Sequence, residues 1–252
     1  MHRIKKKVVV VFFLVGTTIL VIVGFSGKNR GRVVQGMEIK IENVQSNHFL
    51  ENKEVEKLMG LNADNLKGAF ISELNLGELE KKIRKNDYVR TAELYTDVKG
   101  KLIVHVVLNR PVARIVLADG RSRYIAEDGH IMPVSPLFTS RVLLLSGGYF
   151  NSLVKAENVK EYNTGGMLMD LIGKIQEDEF WQAQIAQVDI SAGGNVIAYP
   201  QIGGQVIEFG KMDQWEEKFK KLKIFYKEIL PTQGWNKYHR VNIAYEGQII
   251  AE

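Results

Sequence analysis

Apolar residues recur along this chain with two periods, about 3.6 and 2, and one long apolar stretch has no charged interruption. Residues 8–25 run for eighteen positions without a charge. As a helix the run measures about 27 Å, close to the ~30 Å hydrocarbon core of a bilayer. Arg3, Lys5, Lys6 and Lys7 precede it. This order predicts a cytoplasmic tip at 1–7, a single transmembrane helix at 8–25, a linker at 26–36 and an exported body. Lys28, Arg30 and Arg32 follow the run, so the charge contrast across it is small. Gly24-Phe25-Ser26 offers small residues to a signal peptidase. The run nevertheless exceeds the 7–15 residues of a signal h-region, which favours an uncleaved anchor.

Beyond the linker the two periods alternate. Met37, Ile39, Ile41 and Val44 read as a strand. A short helix opens at Asn52 and Lys53, with Val55, Leu58 and Met59 on one face, and Gly60 ends it. A second helix is predicted from Leu76 to Lys85 on Leu76, Leu79 and Ile83. Val89–Val98 and Lys101–Asn109 form a hairpin around Lys99-Gly100. In its second arm Leu102, Val104, Val106 and Leu108 alternate with Lys101, Ile103, His105 and Val107. The order over 37–110 is β-α-α-β-β.

Pro111 cannot donate to a ladder, and it marks a border. Short strands cut by glycine turns follow, near 113–117, 123–126 and 141–145, with Asp128-Gly129 as a hairpin turn. Leu168, Leu171, Ile172 and Ile175 predict a helix over 167–176. Strands recur near 184–190, 194–199 and 205–209. Asp213 is the expected N-cap of the last helix, with Glu216 completing a capping box. Trp215, Phe219, Leu222, Tyr226 and Ile229 form its apolar stripe, and Pro231 and Gly234 end it. Strand segments at 238–245 and 248–251 close the chain. The fold class is α+β: an anchored chain with one small module at 37–110 and a mixed β domain at 111–252, helices lying on its sheet.

Charge changes this picture little. The chain has 34 Lys and Arg against 29 Asp and Glu, a net +5. Seven of the basic residues lie in 1–37, which hold no acid, leaving 27 against 29 in the body. A nucleic-acid surface needs a basic excess there, so nucleic acid is not an expected partner. There is no cysteine, which removes disulfides, thiolate metal sites and thiol nucleophiles.

Catalytic patterns do not assemble. His2, His48, His105, His130 and His239 lack metal-site spacing. His105 reads as a solvated strand residue, Glu127-Asp128 as turn chemistry, and Glu177-Asp178-Glu179 as a solvated helix end. The pairs at Gly147, Gly165, Gly193 and Gly203 read as turns, without a phosphate-loop signature. Ser146 lacks a hydrolase elbow. No catalytic, cofactor-binding or metal site is expected.

The closing segment is different. A terminal strand is often a sheet edge, whose N–H and C=O groups accept another chain's strand. Burial of Ile249 or Ile250 against the last helix is the other reading, and both hold together if alternate side chains face opposite sides.

Residues 86–95 (Asn-Asp-Tyr-Val-Arg-Thr-Ala-Glu-Leu-Tyr), Gly100-Lys101-Leu102 and 106–115 (Val-Val-Leu-Asn-Arg-Pro-Val-Ala-Arg-Ile) carry a resemblance. With Tyr124–Gly129 and Met132-Pro133, they resemble the bacterial cell-division FtsQ/DivIB family over nearly the whole chain. Asp87 stands where that family commonly has proline, and Asn109-Arg110-Pro111 varies its Arg-x-Pro pattern. The resemblance implies a POTRA domain, an FtsQ-type β domain and a non-enzymatic divisome scaffold. It implies an inner-membrane protein with its body in the periplasm at the septum, linking early and late division proteins. It also implies partners: small bitopic FtsB- and FtsL-like proteins and the septal peptidoglycan synthase complex. Carried over, the partner strand meets Tyr245, Gly247, Gln248, Ile249, Ile250 and Ala251. With Glu252 as the last residue, no tail is expected to cover this edge. A POTRA-containing export or outer-membrane assembly factor is the alternative. It would usually carry several POTRA units and a barrel, and one unit without a barrel favours the scaffold. An anchored cell-wall hydrolase would need a nucleophile–base or paired-carboxylate site.

Overall fold

The computed structural model describes residues 31–42 and 48–252. The predicted tip, the span at 8–25, residues 26–30 of the linker and Val44 lie outside them. Among the described residues no helix is long and apolar enough to cross a membrane. The chain divides into two compact units, one ending at Leu108 and the other covering Asn109–Glu252.

The first unit is a three-stranded sheet with helices on one face. Its strands are β1 (Gly36–Glu42), β2 (Val89–Thr96) and β3 (Lys101–Leu108), in the order β1-β3-β2. β1 runs parallel to β3, and β2 antiparallel. The parallel pairing requires a crossover, which α1 (Asn52–Met59), α2 (Ala63–Leu66) and α3 (Leu76–Arg84) supply. α1 opens at Asn52 as expected, with Glu51 as its N-cap in a capping box with Glu54. Val55, Met59, Leu79 and Ile83 bury against Leu94, Leu102, Val104 and Val106. Period-2 alternation puts His105 on the opposite, half-exposed face, where its Nε2 lies 2.9 Å from Glu42 Oε1. α2 and a 3₁₀ turn at Ile71–Glu73 were not predicted, because each is too short to show a period.

The second unit is built on a nine-stranded mixed sheet. Its strands are β4 (Pro111–Val116), β5 (Ser122–Ala126), β6 (Ile131–Pro133), β7 (Leu143–Ser146), β8 (Ile185–Ile190), β9 (Asn195–Pro200), β10 (Val206–Lys211), β11 (Arg240–Asn242) and β12 (Ile250–Ala251). They lie in the order β12-β11-β10-β9-β8-β7-β4-β5-β6. Pro111 is the first residue of β4, a position where a missing N–H is tolerated. Helices α4 (Phe150–Leu153), α5 (Gly165–Glu177), α6 (Glu179–Gln184), α7 (Trp215–Ile224) and α8 (Leu230–Gln233) complete the unit. Inward residues such as Leu145, Val188, Ala198, Ile207 and Val241 bury in one core with Leu168, Ile172, Trp181, Phe219 and Leu222. Each large side chain buried there contributes roughly 1.5–3 kcal/mol. On the other face Leu144, Gln187 and Tyr199 stand in one cross-strand row.

Two expectations fail at the last helices. Gly165-Gly166 opens α5 instead of forming a turn. Asp213 does not cap α7: Gln214 is the N-cap, left-handed at φ 48° and without a side-chain bond. The Asp213 carboxylate is taken by Lys218 and Glu216 by Lys174, so charge pairing outcompetes capping. The apolar stripe is buried as expected, but 225–229 winds as a π-helix before α8. Pro231 lacks an N–H, and its ring would clash with the Lys227 carbonyl of a regular α-helix. The wider turn relieves that clash, and Thr232 Oγ1 donates to the carbonyls of Glu228 and Ile229.

Candidate partner-binding edge

β12 is the last strand of its sheet, with β11 as its neighbour. The pairing is antiparallel, Val241 opposite Ala251 and Asn242 opposite Ile250. Arg240 and Glu252 exchange both backbone bonds, at 3.1 and 3.0 Å. In an antiparallel ladder such pairs alternate with pairs whose amide groups turn away. Val241 therefore faces β10, while the N–H and C=O of Ala251 point out from the sheet, as do those of Ile249 if the alternation is extended. Side chains alternate the other way: Ile249 and Ala251 pack against the core and Ile250 is exposed.

The turn before β12 is fastened to α7. Lys221 Nζ donates to the Tyr245 carbonyl, and the Gly247 N–H donates to Glu217 Oε1 at 3.2 Å. Lys221 and Glu217 pair at 3.3 Å across one helical turn. Gly247 adopts φ +64°, the left-handed region that glycine enters without steric cost. The Gly247 N–H and the Lys221 ammonium hold the Glu217 carboxyl below the ordinary glutamate range.

Beside the edge, Arg240 grips Glu208 with Nε–Oε1 at 2.7 Å and Nη2–Oε2 at 2.9 Å, and Asn242 Nδ2 donates to the same carboxylate at 2.8 Å. Glu208 is thereby held below its usual range, chiefly by Arg240. A hollow of about 200 Å³ is lined by Arg240, Asn242, Tyr245, Ile250 and Glu252.

The structure thus gathers the six residues singled out in the sequence into one hairpin. Tyr245 and Gly247 form its turn, exposed Gln248 leads out of it, and Ile249, Ile250 and Ala251 complete its second arm. Sequence reasoning missed Glu217, Lys221, Glu208, Arg240 and Asn242. The i,i+4 spacing of Glu217 and Lys221 was a visible signal of a helix pair, but nothing in it pointed to the turn.

Two other edges are partly occupied. The β2 edge has its Leu94 N–H bound to Glu80 Oε1 at 2.8 Å. At β6, the Ile131 N–H donates to the Glu157 carbonyl at 2.9 Å, and His130 bridges Asn158.

A larger cleft of about 780 Å³ lies by α5, α6 and α7, with Trp181 and Phe219 in its lining. Four of its charges pair within it: Lys174 with Glu216, and Lys223 with Asp178 at 2.9 Å. Glu216 holds Lys174 protonated and Lys223 holds Asp178 ionised. General acid–base work needs groups pushed toward neutrality, the opposite direction. Glu177-Asp178-Glu179 is not a plain solvated helix end, since Asp178 also caps α6 through the Phe180 N–H at 2.9 Å. Among the described residues no group of His, Asp or Glu is placed to hold a metal ion.

Two family models match the chain. One described as FtsQ/DivIB, C-terminal related, covers residues 110–252. One described as a POTRA-like domain covers residues 32–107. No curated protein matches.

Proposed function

The chain belongs to the FtsQ/DivIB family, and from that premise we propose that it is an anchored divisome scaffold that completes its sheet with a strand from a small bitopic partner. The matching families are non-catalytic scaffolds, and the family ties the chain to cell division. The finer reading is ours. The apolar run at 8–25 anchors the chain in the inner membrane, with the body in the periplasm at the septum. FtsB- and FtsL-like proteins are the partners, and through them the scaffold reaches the septal peptidoglycan synthase complex.

One observation carries this reading: the outward amide groups of β12, on a hairpin locked in place by Glu217 and Lys221. An added strand gains ladder hydrogen bonds there without first displacing a chain segment. Ile250 and Tyr245 stand exposed to select its side chains. The β2 and β6 edges are weaker candidates, because each already has an outward donor in use, Leu94 by Glu80 and Ile131 by Glu157.

Ala251→Pro is the selective test. It deletes an outward N–H and leaves the Arg240–Glu252 and Asn242–Ile250 pairs intact. Each lost hydrogen bond should weaken binding about tenfold, with the melting temperature nearly unchanged. The measurement is co-purification of the full chain with the FtsB-like partner from membranes. A variant that still captures the partner at wild-type level overturns the interface.

A further inference from the structure

We propose that one end of the first unit, formed by residues 31–35, Phe70 and the 97–100 turn, rests in the headgroup layer of an anionic membrane. The inference rests on the reading that residues 8–25 span that membrane.

The chain enters the unit at this end. Gly36 opens β1 opposite Lys101. Just before it the Gln35 N–H donates to the Gly100 carbonyl at 3.0 Å, and the Arg32 guanidinium donates to the carbonyls of Asp97 at 3.1 Å and Val98 at 2.8 Å. On its other side the same segment pairs with residues 68–71: the Gly68 N–H reaches the Val34 carbonyl at 2.9 Å and the Ile71 N–H reaches that of Arg32 at 3.0 Å. The entering segment is therefore gripped between the hairpin turn and the Phe70 loop. From Phe25 to Gly31 is six residues, a reach of at most about 20 Å. The headgroup layer itself is about 5–8 Å thick on each side.

What this end presents suits a bilayer surface. Val98 is 91% exposed, the highest value among the exposed large hydrophobics of the described residues, and Phe70, across from Val33, is 46% exposed. The valine is held outward. Asp97 Oδ1 accepts the Lys99 N–H at 2.9 Å and the Lys101 N–H at 2.8 Å, and Gly100 sits at φ +84°. A Cβ on Gly100 would come within 2.9 Å of the Val33 carbonyl oxygen, so the turn and the entering segment are closely fitted. The Asp97 carboxylate is spent on its own turn. Arg32, Lys67 and Lys99 are exposed around the two apolar tips. Apolar tips rimmed by cations are the composition that anionic headgroups attract.

The absence of cysteine makes the test direct. Single variants Val98→Cys, Arg90→Cys and Val15→Cys of the full chain are labelled with an environment-sensitive fluorophore and reconstituted in vesicles containing phosphatidylglycerol. Arg90 is the second residue of β2, about 26 Å from Val98. The probe at 98 should shift to the blue and lose emission to headgroup-level nitroxide lipid. The probe at 90 should respond only to aqueous iodide. Lys99→Glu, or replacing phosphatidylglycerol with zwitterionic lipid, should reduce the signal at 98. A protected probe at 15 with a probe at 98 as iodide-accessible as that at 90 overturns this inference alone. An iodide-accessible probe at 15 overturns the anchored reading, and this inference with it.

Discussion

Glu217 and Lys221 decide where the terminal hairpin lies. Each spends one interaction on the other and one on the backbone at 245–247. Lys221→Met takes the donor from the Tyr245 carbonyl and the cation from Glu217, and should cost about 1–3 kcal/mol. The loss should appear as faster amide exchange confined to 245–251 and as weaker partner capture. Glu217 also sets a pH dependence. Its folded-state pKa is depressed, so its contribution is full above the ordinary glutamate range and is lost as pH falls through the folded value. Glu208, depressed by Arg240, acts in the same direction. Partner binding should therefore weaken on acidification below the usual carboxylate range. Glu217→Gln should start weaker and show a flatter profile, read by binding isotherms across that range.

At the scale of elements, edges are the recurring problem, and Glu80 is one answer to it. Its carboxylate reaches from α3 to take the outward Leu94 N–H, which leaves that stretch of β2 unavailable to another strand. Glu80→Ala should cost about 1 kcal/mol and raise concentration-dependent self-association in sedimentation. Unchanged sedimentation would count against edge protection. The α7 stripe tests the other unit: Phe219→Ala should destabilise it by about 3–5 kcal/mol in denaturant titration, because Phe219 packs against Trp181 at 5.3 Å and Phe209 at 5.2 Å. Elements with several turns or alternations were legible in the sequence, as Val55, Leu79, Leu168 and Leu102 illustrate. Four-residue α2 and α4 were not, since they hold too few positions to show a period, and three-residue β6 was signalled only by the Asp128-Gly129 turn before it. The cap of α7 was misread because Asp213 had a second suitor, Lys218, that only the folded chain brings close.

At the scale of the whole molecule, strand order was the part least written in local pattern. β10 pairs with β11 in parallel across α7, the π segment and α8, and β4 with β7 and β7 with β8 are parallel as well. Such contacts join distant residues and leave no short-range mark. The final strand nonetheless lies at an edge, as expected. Its fastening to α7 was not expected, because it runs through backbone groups of Tyr245 and Gly247 that carry no residue signature. In the proposed function β12 is the place where a second chain continues this sheet. Amide hydrogen exchange of the full chain, free and with the FtsB-like partner bound, tests that most directly. The Ile249 and Ala251 amides should slow by about 100-fold on binding while the Leu94 amide stays as it was. Unchanged exchange at 249 and 251 in a saturated complex would contradict it.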